Sequence, residues 1–286
     1  MLTDADLPSF TAGLGLPGLV DLHVHFMPHN VLRKVWAYFD AGTLEWPITY
    51  RDDDTDRLAT LSRLGVIGFT ALAYPHKPGM AAWLSDWTLE FGASTPGCVP
   101  SATFFPEDGV FGYVQSAIDR GARVFKSHLQ VGAYDPRDER LDDVWGLLAE
   151  AGVPVVCHCG SGPFPGPFTG LGPISEVLQR HPDLTLVVAH AGSPEYAGFI
   201  DLASHYRNVH LDTTMAFTDY LNRLAPFPAS LVPRLGDLVD RVVLGSDFPN
   251  IPYPYATQIQ ALVDLGLGDE WLRNVLHHNG SRLLGL

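Results

Sequence analysis

Two histidines two residues apart, in the run Leu19-Val-Asp-Leu-His-Val-His-Phe26, are the first residues of this chain that suggest a chemistry of their own. The run alternates as a strand does, which would put Leu22 and Val24 on one face and Asp21, His23 and His25 on the other. Imidazoles at i and i+2 then point the same way, about 6–7 Å apart along the strand. That separation suits two ligands converging on one cation, since a neutral imidazole offers a lone pair near neutral pH. One exposed and one core histidine at a strand end would give the same spacing, so the pair needs support from the rest of the chain.

The support comes from where the other polar residues fall. Lys126 and His128 lie at the carboxyl end of the run Arg123–Leu129, and His158 at the end of Val153–Cys159. His190 ends Leu184–Ala191, and Asp247 ends Arg241–Asp247. If the runs are parallel strands of a barrel, these side chains share one mouth, where such folds carry their chemistry. Imidazoles and a carboxylate collected at one mouth are donors that a divalent metal takes.

The elements that would position them alternate regularly. Strands are expected at Leu19–Phe26, Val66–Tyr74, Cys98–Phe105, Arg123–Leu129, Val153–Cys159, Leu184–Ala191, Val209–Thr214 and Arg241–Asp247. Helices are expected at Pro28–Gly42, Asp52–Leu64, Met80–Phe91, Phe111–Arg120, Leu141–Ala151, Ile174–Arg180, Glu195–Tyr206, Tyr255–Leu265 and Asp269–His277, with shorter pieces between Phe217 and Leu235. Several strands are continuous apolar runs, as strands buried on both faces must be. Eight such units in 286 residues make an α/β chain folded as a closed (β/α)8 TIM barrel, read as one domain over residues 1–286. An open doubly wound sheet is the alternative, but no Gly-x-Gly-x-x-Gly follows the first strand.

The segments Asp21-Leu-His-Val-His25, Phe125-Lys-Ser-His128, Val153-Pro-Val-Val-Cys-His158, Val187-Val-Ala-His-Ala-Gly192 and Leu244-Gly-Ser-Asp-Phe-Pro249 together resemble the amidohydrolase superfamily, in its amidohydrolase-2 branch of metal-dependent hydrolases and decarboxylases. The ending Asn279-Gly-Ser-Arg-Leu-Leu-Gly-Leu286 is similar to that branch's usual terminus. The resemblance spans nearly the whole chain in strand order. It implies that His23, His25, His158 and Asp247 hold a divalent metal, commonly zinc, and that His190 is a neighbouring or catalytic base residue. Asp247 would serve as general base as well as ligand.

Lys126 has two readings. It resembles the carbamylated lysine that bridges two metals elsewhere in the superfamily, in which case His158 and His190 would bind a second ion. The branch is usually mononuclear, and Lys126 would then be an ammonium that binds a substrate anion; one ion is the favoured expectation. His128 shares the Lys126 face and reads as a substrate-pocket residue. His76, after Tyr74 and Pro75, could line the mouth, while His29, His181, His205, His210, His277 and His278 read mostly as solvated. Cys157 and Cys159 flank His158 and read as core thiols. The Gly/Pro-rich stretch Gly160–Pro173 reads as a rim or lid, or as a plain surface loop.

Composition narrows the remaining classes. Eighteen basic against 32 acidic residues leave a net charge of −14 with no basic cluster, which argues against nucleic acid. Three cysteines without a Cys-x-x-Cys pair argue against a disulfide framework. No apolar run reaches membrane-spanning length and the first residues lack a secretory pattern, so a cytoplasmic location is expected. The expected partner is a small-molecule substrate, with no nucleic acid and no membrane; a homo-oligomer is left open.

The favoured function is a hydrolase that directs a metal-activated water at an amide, ester or lactone carbonyl of a small, carboxylate-bearing substrate. The alternative is a non-oxidative decarboxylase of an aromatic or unsaturated acid. A decarboxylase needs a cation for the substrate carboxylate, and Arg51 is the one arginine that the sequence places near the mouth. A metal-binding barrel without catalysis is the third possibility.

Overall fold

The computed structural model describes all residues, Met1–Leu286. Nine short strands run parallel: β1 Leu19–Asp21, β2 Val66–Thr70, β3 Cys98–Val99, β4 Ser101–Thr103, β5 Val124–His128, β6 Val155–His158, β7 Leu186–Val188, β8 Val209–Asp212 and β9 Val242–Val243. They occupy eight strand positions. β3 and β4 are one strand divided at Pro100, which lacks an N–H, although its carbonyl still accepts from Arg123 N (2.9 Å). The ladder runs in chain order, β1-β2-β3 and then β4 through β9.

The ring closes beyond the ends of β1 and β9. Leu22 N donates to Leu244 O (2.9 Å), Asp247 N to His23 O (2.9 Å) and His25 N to Phe248 O (2.7 Å). Closure and the histidine pair therefore occupy the same seam.

Inside the barrel a layer of small apolar side chains fills the axis. Val20, Leu22, Leu72, Val99, Val124, Val156, Val187 and Val243 pack together, with Leu284 from the C-terminal helix Asn279–Leu284 added to them. β8 presents His210 at that level, in register with Val187. His210 is 6% exposed and its Nδ1 has no partner, so it is not the solvated residue the sequence suggested. Burial, and then Arg241 and Arg282, push its pKa down to about 3.

The helices cover the outside of the ring, and local sequence explains their limits. Asp54–Arg63 starts where the Asp53 carboxylate accepts from Asp56 N (3.0 Å). Glu139–Ala151 is capped by Asp138 and stopped by the left-handed Gly152, and it buries Leu141, Val144, Trp145 and Leu148 at helical spacing. The N-terminal helix Leu7–Gly13 was not anticipated, and the helix expected at Ile174 begins at Leu171, inside the Gly/Pro-rich stretch. All three cysteines are free and buried. No helix is long and apolar enough to cross a membrane.

One expectation fails at the central strand. The chain bends at Leu22, and regular pairing ends at Asp21. Val20 and Leu22 both join the interior layer, whereas Val24 joins the outer core between barrel and helices. Asp21 therefore does not share a face with His23 and His25; its carboxylate accepts from the Tyr255 hydroxyl (2.7 Å) and from His23 N (3.1 Å). Burial raises its pKa to about 7.

Candidate metal centre

The seam places three donor atoms, from His23, His25 and Asp247, within 4.8 Å of one another. Their protonation follows from their outer partners. His25 Nδ1 faces the Leu72 carbonyl (2.8 Å) and so carries the proton, which leaves the Nε2 lone pair aimed inward. His23 Nδ1 faces the Asp212 carboxylate (2.7 Å) and Thr214 Oγ1 (3.0 Å), so its Nε2 is also the free lone pair. Burial, and then the Lys126 charge, outweigh Asp212 and Asp247 and hold His23 down at about 4, neutral at pH 7. Asp247 is desolvated, yet His23, His25 and His190 keep it well below the usual carboxylate range.

The inner atoms are thus two imidazole lone pairs and a carboxylate, all acceptors. Asp247 Oδ1 lies 2.8 Å from His25 Nε2 and 3.4 Å from His23 Nε2. Acceptors packed this closely need a cation among them, and the donor set of two nitrogens and a carboxylate is one that a divalent metal takes. The residues fit the group that the sequence called for.

Lys126 supplies positive charge beside them. Only 1% exposed, it points Nζ at His23 Nε2 (2.9 Å). Burial lowers its pKa, against the pull of Asp247 and Asp212.

The remaining expected residues arrive from β5, β6 and the turn after β7. His158 lies outside the tight cluster, its ring 4.8 Å from that of His190 and stacked at 4.1 Å and 9° on that of His128. Its Nε2 donates to the Gly162 carbonyl (3.0 Å), so Nδ1 is its available lone pair. That bond ties the Gly/Pro-rich stretch to the site, and Ser161 N on the Glu195 carboxylate (3.1 Å) ties it to the start of the helix Tyr196–His205. His128 accepts from Val131 N at Nδ1 (3.3 Å), which leaves an N–H at Nε2. Burial first, and then neighbouring imidazoles and Lys126, lower both pKa values, so both rings are neutral. His190 donates from Nδ1 to the Thr214 carbonyl (3.1 Å) and holds Nε2 4.0 Å from Asp247 Oδ2.

Backbone conformation contributes as well. His190 (φ 56°) and Asp247 (φ 71°) are left-handed without being glycine, an arrangement that surrounding contacts must sustain. Gly245 is needed for a different reason: a Cβ there would stand 2.3 Å from Thr214 Oγ1 and 2.8 Å from His23 Cβ.

Asp212 is the residue beside the cluster that the sequence reading passed over. It is fully buried at the end of β8 and accepts from His23 Nδ1, His190 N (2.8 Å) and Thr214 N (3.0 Å). Burial pushes its pKa up, but His23, His190 and Lys126 bring it to about 2. Its place at a strand's carboxyl end was the available signal, the same one that singled out Asp247. Arg51, by contrast, is bonded to Asp40 on the outer helix His29–Ala41 and is 38% exposed. His76 is exposed.

The family model described as Amidohydrolase, of the amidohydrolase-2 type, matches residues 20–286. No curated protein matches the chain. Among solved structures, an uncharacterized TIM-barrel protein from Bordetella bronchiseptica is similar at 19% identity and a TM-score of 0.75, over 93% of this chain and 98% of that one. A protein described as a probable 2-pyrone-4,6-dicarboxylic acid hydrolase from Acinetobacter baumannii is 12% identical with a TM-score of 0.65, over 94% and 100%. The 5-carboxyvanillate decarboxylase of Sphingomonas paucimobilis is 15% identical with a TM-score of 0.63, over 94% and 99%. At such identities these likenesses establish the TIM-barrel fold and leave the reaction open between hydrolysis and decarboxylation. With its family model matched from Val20 to the last residue, the chain belongs to the amidohydrolase family.

Proposed function

We propose that the protein is a metal-dependent hydrolase acting on an amide, ester or lactone carbonyl of a small substrate. The observation that carries this reading is the convergence of two imidazole lone pairs and the Asp247 carboxylate at the β1–β9 seam, each imidazole held by an outer acceptor. His23, His25 and Asp247 would hold the ion, with His158 Nδ1 as the fourth protein ligand. A divalent cation there, zinc being the favoured one, would lower the pKa of a water and polarise the carbonyl.

The chain's own residues do the rest. Asp247 is ionised at neutral pH and takes the proton from the attacking water, then returns it to the leaving group. His190, at 4.0 Å from the second Asp247 oxygen, orients that carboxylate and the atoms beside it. Lys126 and His128 would lie on the substrate side, with Lys126 as an ammonium beside a single ion, its Nζ 2.9 Å from His23 Nε2.

Hydrolysis is preferred to decarboxylation because the arginine expected to take a substrate carboxylate, Arg51, is engaged by Asp40 at the surface. Incubating the zinc- or manganese-loaded protein with panels of lactones, esters, amides and aromatic acids tests this. The expected result is carbonyl hydrolysis that a chelator abolishes and added metal restores. Carbon dioxide released from an aromatic acid, with no hydrolysis in the panel, would overturn it in favour of the decarboxylase.

A further inference from the structure

The mouth contains a hydroxyl that the reading above does not use. Tyr74 lies two residues beyond Leu72, whose carbonyl orients His25. Its ring meets His25 edge-on (5.6 Å, 85°) and is tilted against His128 (4.8 Å, 53°). It also packs against the apolar cluster of Met27, Leu32, Ala73 and Leu84. Contacts of this kind on several sides hold the ring in one orientation.

Tyr74 is half-buried, and the fully buried tyrosines all use their hydroxyls. Tyr50 bonds Asp4, Tyr134 bonds Ser127, Tyr196 bonds the Ala225 carbonyl, Tyr253 bonds Gln258 and Tyr255 bonds Asp21. Tyr74 Oη makes no hydrogen bond within the protein, and it is not among the polar atoms sealed from solvent. The hydroxyl is therefore open to solvent, on a ring that lies against His25 and against a His128 ring whose Nδ1 is occupied by Val131 N–H and whose Nε2–H is free. Two neutral donors, each fixed by packing, lie side by side next to the metal-ligand cluster.

We propose that Tyr74 is a specificity-determining residue whose hydroxyl, beside the Nε2–H of His128, donates to an oxygen that the substrate carries away from its reacting carbonyl. This deepens the metal-hydrolase reading and rests on it. The substrate class is a small carbonyl compound with a second oxygen acceptor, a hydroxyl, oxo or carboxylate group. One or two neutral donors set the preference here, so the oxygen needs no full negative charge to be recognised.

The test is a ligand-by-variant cycle on the metal-loaded protein. Benzohydroxamate, which chelates the metal ion through its own oxygens, and its hydroxy and carboxy ring derivatives are titrated by calorimetry into the wild type and Tyr74→Phe. At least one derivative should bind the wild type about three- to tenfold more tightly than benzohydroxamate. That advantage should disappear in Tyr74→Phe, while bound metal and benzohydroxamate affinity stay the same. No derivative gaining in the wild type, or a gain that survives in Tyr74→Phe, would overturn the proposal. Failure of benzohydroxamate itself to bind the loaded protein, or failure of the chain to take up metal, would instead bring down the metal reading and this inference with it.

Discussion

On the β1–β9 side of the mouth, both nitrogens of His23 and of His25 have assigned partners, whereas on the β2–β5–β6 side three polar atoms have none. Asp212 and the Leu72 carbonyl fix the outer nitrogens of His23 and His25, and closure bonds fix the backbone beneath them. Across the mouth, His158 Nδ1, His128 Nε2 and Tyr74 Oη are held only by ring packing and by bonds at their other atoms. The first side presets donor atoms in a fixed tautomer, as a metal requires. The second keeps hydrogen-bonding capacity in reserve, as a substrate requires.

Four perturbations would break or sharpen this contrast, the largest first. Asp247→Asn keeps the shape but removes the proposed base and one proposed anionic ligand. We expect kcat to fall by about 10²- to 10⁴-fold with the fold intact by circular dichroism. Near wild-type kcat would mean that another residue takes the proton.

Asp212→Asn leaves every proposed metal ligand in place and weakens only what orients His23 and His190. Metal affinity should fall by about 10- to 100-fold, measured by competition with a chromophoric chelator. An unchanged affinity would show that the preset tautomer contributes nothing.

Gly245→Ala forces a methyl against Thr214 and His23. Overpacking of this sort costs about 1–3 kcal/mol, read as a lowered denaturant midpoint, and metal affinity should drop with it. The same midpoint as wild type would show that the seam yields more readily than its spacing implies.

The last concerns pH. His210 and His23 are neutral in the folded chain, with pKa values near 3 and 4, whereas an unfolded histidine titrates near 6.5. The unfolded chain therefore gains protons first, and the stability these groups contribute is complete above about pH 6.5 and is lost as pH falls towards their folded values. Asp21, raised to about 7, acts with the opposite sign: its contribution weakens as pH rises from about 4 to 7. Comparing wild type with His210→Leu removes that complication. The variant should show a shallower fall in stability below pH 6, by up to about 1.4 kcal/mol per pH unit, in urea titrations. Identical slopes would mean that His210 is not held neutral.

Much of this arrangement was legible along the chain. Apolar runs closed by Lys126, His158, His190 and Asp247 were enough to expect a barrel and to collect its polar residues at one mouth, because strand length, burial pattern and turn residues are local properties. The bend at Leu22 was not legible: a strict two-residue period assigned Asp21 to the histidine face, and the closure bonds to β9 turned the chain instead. His210 looked like one more surface histidine, because nothing near it in sequence tells which level of the barrel it will reach. Asp212 and Tyr74 acquire their roles from His23 and His25, partners 189 and 49 positions away for the nearest ring contacts. The sequence by itself determined which residues could bind a metal and the order in which strands would present them. Only the closed ring decided which nitrogen of each histidine faces an outer partner, and that Asp212 backs His23 while Asp247 faces the inner nitrogens, since those choices depend on atoms that meet only when the first strand bonds to the last.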